Sequence, residues 1–109
     1  MKKTKKIFLE FCNFCMEHDI NLMVVVTPVS TYYKDFFNMK YKSIFYDILD
    51  SAPNEIHVLD FWDFDDMFED EDFNDTDHLS EFGAEKVTYQ IAEFIKQSFG
   101  MDILYKNKL

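Results

Sequence analysis

Two short runs rich in aliphatic residues, Leu22-Met23-Val24-Val25-Val26 and Glu55-Ile56-His57-Val58-Leu59-Asp60, each follow a segment whose apolar residues recur every three or four positions. Unbroken β-branched runs suit strands covered on both faces, whereas three-to-four spacing suits one covered face of a helix. The order helix, strand, helix, strand therefore predicts a right-handed crossover and a parallel sheet. The first helix is expected over residues 5–18, with Ile7, Phe8, Phe11, Cys12 and Cys15 as one buried stripe. The second is expected over 34–49, ended by Ser51-Ala52-Pro53-Asn54. A third is expected over 80–99, with Ser80 as N-cap, Val87, Ile91, Phe94, Ile95 and Ser98 facing inward, and Gly100 as its stop. Residues 101–105 are read as a short edge strand.

The chain has 109 residues, enough for one core and too few for two, so residues 1–109 are read as a single α/β domain. The fold class expected is a short parallel sheet flanked by helices in three layers. With 48% hydrophobic residues and 13 Phe, the chain carries far more apolar material than a disordered acidic segment. Its charge of −10 and its lack of Arg argue against nucleic acid and against a dedicated phosphate clamp. Four lysines precede Ile7-Phe8-Leu9, but Glu10 interrupts the apolar run. Neither an export signal nor a membrane span is predicted, which places the chain in the cytoplasm by default.

Cys12 and Cys15 have C-x-x-C spacing, but they lie within a helical pattern and only His18 is near in sequence. They are read as buried helix residues, neither a redox pair nor half of a zinc site. His18 is read as a surface helix end and His57 as a strand residue.

Asp75-Thr76-Asp77-His78-Leu79-Ser80, followed by Gly83, carries the chemistry. A neutral imidazole accepts a proton from a nucleophile efficiently when a carboxylate fixes its tautomer and stabilises the imidazolium. The segment also falls where a loop at the carboxyl edge of a parallel sheet leads into a helix, the edge at which ligands gather. The same residues suit a structural role too, with Asp75 or Asp77 accepting from N–H groups at the helix start.

The strand endings Val25-Val26-Thr27-Pro28-Val29-Ser30 and Val58-Leu59-Asp60, with Phe73-Asn74-Asp75-Thr76-Asp77-His78-Leu79-Ser80 and Gly83-Ala84, resemble the carboxyl-terminal part of the SGNH, or GDSL-like, hydrolases. The likeness is greatest to bacterial members related to the acyl-transfer proteins of cell-envelope modification. The resemblance implies the second half of a flavodoxin-like fold, with Asp75 as orienter and His78 as general base of a Ser-His-Asp triad, acting on an acyl ester. It implies no cofactor. The family's Gly-Asp-Ser block and its oxyanion residues have no counterpart in this chain. The expectation is therefore a half-site, inactive alone, whose serine comes from a partner supplying the missing amino-terminal half. Ser30, which follows a strand on the correct edge, is the best internal candidate for a nucleophile.

Two further classes compete. Asp70, Asp72, Asn74, Thr76, His78 and Glu81 occupy positions 1, 3, 5, 7, 9 and 12 of an EF-hand-like loop, although Asp75 stands where Gly should turn the chain and Asp77 where an apolar residue is expected. Alternatively the chain interacts without chemistry, because a sheet of two or three strands leaves an edge able to pair in a homo-oligomer or with another half.

Overall fold

The computed structural model describes residues 2–99. They form α1 (Lys2–Glu17), β1 (Met23–Val26), α2 (Thr31–Phe36), α3 (Met39–Asp50), β2 (His57–Asp60) and α4 (Glu81–Phe99). Two 3-10 turns, Asp65–Met67 and Asp70–Asp72, lie between β2 and α4. The fold is mixed α/β, and β1 and β2 form a two-stranded sheet. His57 N–H donates to Leu22 O at 3.2 Å and Phe61 N–H to Val26 O at 3.0 Å. Both partners advance by four residues, so the pair is parallel, as the crossover pattern predicts. The expected stop at Gly100 and edge strand over 101–105 lie outside the described residues.

The ends of the elements follow from local chemistry. Asp19 closes α1 in the left-handed conformation (φ 55°), while Ile20 N–H donates to Cys15 O at 2.8 Å. This is the helix-ending geometry usually given to Gly, and Asp is among the few other residues that adopt it. The single helix expected over 34–49 is instead two. Asn38 interrupts it, extended at φ −84°, ψ 111°, and its side chain accepts the Lys40 N–H at 3.0 Å. The apolar spacing runs through the break, but a side chain able to cap a helix start outcompetes continuation at that position.

The described residues divide into two compact units, one drawn from residues 2–24 and 37–58, the other from residues 25–36 and 59–99. In the first, Cys12, Cys15 and Leu49 are buried and Phe8 is half-buried, whereas Ile7 and Phe11 remain 57% and 52% exposed. The expected α1 stripe is thus narrower than its sequence pattern. At 100° per residue Phe8, Cys12 and Cys15 lie within about 60° of one another, and Ile7 and Phe11 fall on the flank. Burial, and then Cys15 beside it, pushes the Cys12 thiol up from its ordinary value, away from the reactive thiolate.

In the second unit Leu59, Phe61 and Val87 are buried, and Val25, Met67, Phe68, Leu79, Ile91 and Phe94 pack around them. Phe61 meets Phe64 and Phe68 edge to face, with centroids 5.3 and 5.9 Å apart. Fully burying one such side chain contributes about 1.5–3 kcal/mol, so this cluster is what holds α4 to the ends of both strands. The inner stripe of α4 is as expected at Val87, Ile91 and Phe94, but Ser98, one turn further on, is exposed. No helix among the described residues is long and apolar enough to cross a membrane.

Candidate functional site

The segment between Phe73 and Leu79 is closed by an antiparallel bridge between those two residues. Asn74 N–H donates to His78 O at 2.8 Å, which completes a tight loop ahead of α4. Inside it Asp75 turns its carboxylate back on the backbone. Its Oδ1 accepts the N–H groups of Asp77 at 3.1 Å and His78 at 2.9 Å. A short acidic side chain that bonds the backbone two and three residues on is the local reason for the turn.

The same carboxylate receives His78 Nδ1 at 2.8 Å on Oδ1 and 2.9 Å on Oδ2. The Asp77 N–H, and then the imidazole, hold the Asp75 carboxyl below its ordinary value, so it is ionised at neutral pH. An ionised acceptor assigns the proton to Nδ1 and leaves Nε2 as the base. The hydrogen bond that Nδ1–H donates to Asp75, reinforced by the charges of Asp75 and Asp77, raises the His78 pKa above its ordinary 6.5. Among the described residues Nε2 makes no hydrogen bond, and the side chain is 72% exposed. The two residues singled out as orienter and base are thus brought together, with the basic nitrogen turned to solvent.

Ser30 is not brought to His78. Its hydroxyl donates to Thr76 O at 2.8 Å and accepts the Tyr33 N–H at 3.3 Å, while its own N–H donates to Thr76 O at 3.0 Å. It is buried, at 7% exposure, and serves as a cap for α2 and a tether for the Asp75–His78 loop. Ser30, Tyr32, Asp70, Phe73, Asp75 and Thr76 line an open groove of about 300 Å³ along the tethered loop.

Asp75, Asp77 and His78 each place one possible ligand atom within 4.8 Å of the others. The imidazole nitrogen facing the carboxylates is already the donor to Asp75, and all three residues are exposed. We read the cluster as a hydrogen-bonded turn. The six EF-hand-like positions are divided: Asp72 turns inward to Lys86, and the Thr76 carbonyl that such a loop would offer a cation is taken by Ser30.

Three features were missed in the sequence. Asp72, 1% exposed, accepts Lys86 Nζ and the Glu69 N–H, both at 2.7 Å. Gly83 faces the Asp72 carbonyl so closely that a Cβ there would lie 2.1 Å from the oxygen. Asp77 brings Oδ1 to 3.2 Å from His78 Nδ1. A glycine in the first turn of a helix was the available signal for the second, since Gly costs helix stability unless close packing requires it. Ser80, expected as the cap, does accept the Gly83 N–H at 3.3 Å and also donates to Glu71 O at 2.7 Å.

Comparisons with known protein families, with curated proteins and with solved structures found no match for the chain.

Proposed function

We propose that this chain is the carboxyl-terminal half of an SGNH-like esterase or acyltransferase, in which Asp75 and His78 are two members of a Ser-His-Asp triad. In this reading the fold is the second half of a three-layer, flavodoxin-like domain. The observation that carries the reading is the Asp75 carboxylate on Nδ1, which leaves Nε2 both basic and accessible. A partner supplies the serine and the oxyanion donors. The serine oxygen attacks the ester carbonyl carbon while its proton passes to His78 Nε2. The tetrahedral intermediate then collapses, expelling the alcohol, which takes that proton from Nε2 and leaves an acyl-enzyme for water or an acceptor alcohol. The loop tether through Ser30 and Thr76 holds the imidazole ready for a nucleophile that the chain itself does not present.

A second reading, interaction without chemistry, is favoured by the sheet. All four β1 residues, Met23–Val26, are only half-buried, although their sequence suits a strand covered on both faces. Among the described residues the sheet has two strands, and a two-stranded sheet is marginal without further packing. Both readings call for groups that these 109 residues do not supply, from a second copy or from a nucleophile-bearing half.

Hydrolysis of short-chain p-nitrophenyl esters by the purified chain tests the first reading. The wild type, His78→Ala and Ser30→Ala are expected to give equal rates at the uncatalysed background. Turnover that disappears in both variants would place the nucleophile at Ser30 and overturn the half-site.

A further inference from the structure

We infer that Asp77 is a positioning residue for His78, a second carboxylate that acts on the imidazole by its charge beside the hydrogen bond to Asp75. Three carboxylate oxygens lie close to Nδ1: Asp75 Oδ1 at 2.8 Å and Oδ2 at 2.9 Å, both hydrogen-bonded, and Asp77 Oδ1 at 3.2 Å as an ion-pair contact. They are not equivalent. Asp75 Oδ1 also accepts two backbone N–H groups, so much of its negative charge is spent on fixing the turn. Among the described residues the Asp77 carboxylate pairs with the imidazole alone. Its own N–H is pinned by Asp75, which sets the backbone so that the side chain reaches His78.

The division of labour follows from this geometry. Asp75 sets the tautomer and the ring orientation, while Asp77 adds negative charge that responds when Nε2 takes a proton. No charged group of another element contributes to the imidazole: its ion pairs run to Asp75 and Asp77 alone among the described residues, and these same two raise its pKa. The role of Asp77 in turnover rests on the catalytic reading above, but its hold on the imidazole does not. Removing Asp75 alone should therefore leave a weakened ring anchor, and removing both should leave none.

The test is an NMR titration of His78 in the full chain. Asp77→Asn is expected to lower the His78 midpoint, Asp75→Asn to lower it further, and the double variant to return it to the ordinary value of 6.5. Asp77→Glu should restore the midpoint, whereas Asp77→Ser, which lacks the charge, should not. Backbone amide shifts outside residues 73–80 should stay fixed throughout, which separates a local charge effect from a disturbed fold. A His78 midpoint unmoved by Asp77→Asn and by Asp77→Ser overturns the assignment and leaves the catalytic reading standing. A midpoint that moves as expected, in a protein whose His78 supports no turnover with any partner, upholds the Asp77 pairing and overturns the catalytic reading.

Discussion

Gly83→Ala is expected to destabilise the protein by about 3 kcal/mol and to lower its melting temperature by about 10 °C or more, as read by circular dichroism. The reason is a backbone collision. The added Cβ would lie 2.1 Å from Asp72 O and 3.0 Å from the carbonyl carbon, and 2.8 Å from Leu79 Cδ2. A flexible side chain could swing away from such a contact, but the Asp72 carbonyl is held by the Ser80 N–H at 2.8 Å. Either the first turn of α4 or the 3-10 turn over Asp70–Asp72 must move. Because that turn leads directly into the Asp75–His78 loop, the same substitution should also shift the His78 imidazole resonances. An unchanged melting temperature would show that the two elements are not packed as described.

Lys86→Met is expected to cost about 10 °C of melting temperature at pH 7, and progressively less as the pH falls through the folded Asp72 value. Asp72 is 1% exposed, whereas Lys86 is 39% exposed. Removing the lysine therefore strands a buried carboxylate, while removing the carboxylate leaves a lysine that water can reach. Burial alone would raise the Asp72 carboxyl. The Lys86 hydrogen bond, the Glu69 N–H and the lysine charge together outweigh it and hold the group below its ordinary 3.8. A carboxyl whose folded pKa is depressed contributes stability that is present above the unfolded value and lost as pH falls through the folded one. The gap between wild type and Lys86→Met should thus close as the pH drops below about 3.8. Asp72→Asn in the Lys86→Met background should recover part of the loss at pH 7 by removing the stranded charge. A gap independent of pH would mean that the lysine acts through its hydrogen bond to Met67 O at 3.0 Å and its place over the Phe68 ring, and not through the carboxylate.

The parts of this fold legible in the sequence are those set by periodicity over many residues. The two aliphatic runs mark a parallel pair, and Val87, Ile91 and Phe94 mark the face of α4 that meets the core. Asp75 and His78 were legible as a pair because three residues of spacing at a helix entrance let one carboxylate reach both the backbone and the ring. What escaped depends on which way a polar side chain turns. Asn38 lies within an apolar pattern that continues past it, and nothing local announces that its side chain will cap the Lys40 N–H. Asp72 looks like one of many solvated acids between Asp63 and Asp77, and only the fold reveals Lys86 fourteen positions away. Ser30 looked available at the end of a strand, but its hydroxyl is committed to Thr76, forty-six positions distant. Long-range pairing of single polar groups leaves no periodic trace.

The account rests most directly on Asp75 setting the tautomer of His78. A neutral imidazole free in water favours the proton on Nε2, whereas an ionised Asp75 on Nδ1 reverses that preference and frees Nε2 to act as a base. Nitrogen-15 NMR of the histidine side chains, above the His78 midpoint, reads this choice. The expected result is a protonated Nδ1 and a bare Nε2 in the wild type, reverting to the Nε2–H form in Asp75→Asn. A wild-type spectrum showing His78 as the Nε2–H form would contradict the account, because the nitrogen that faces solvent would then be a donor and not a base.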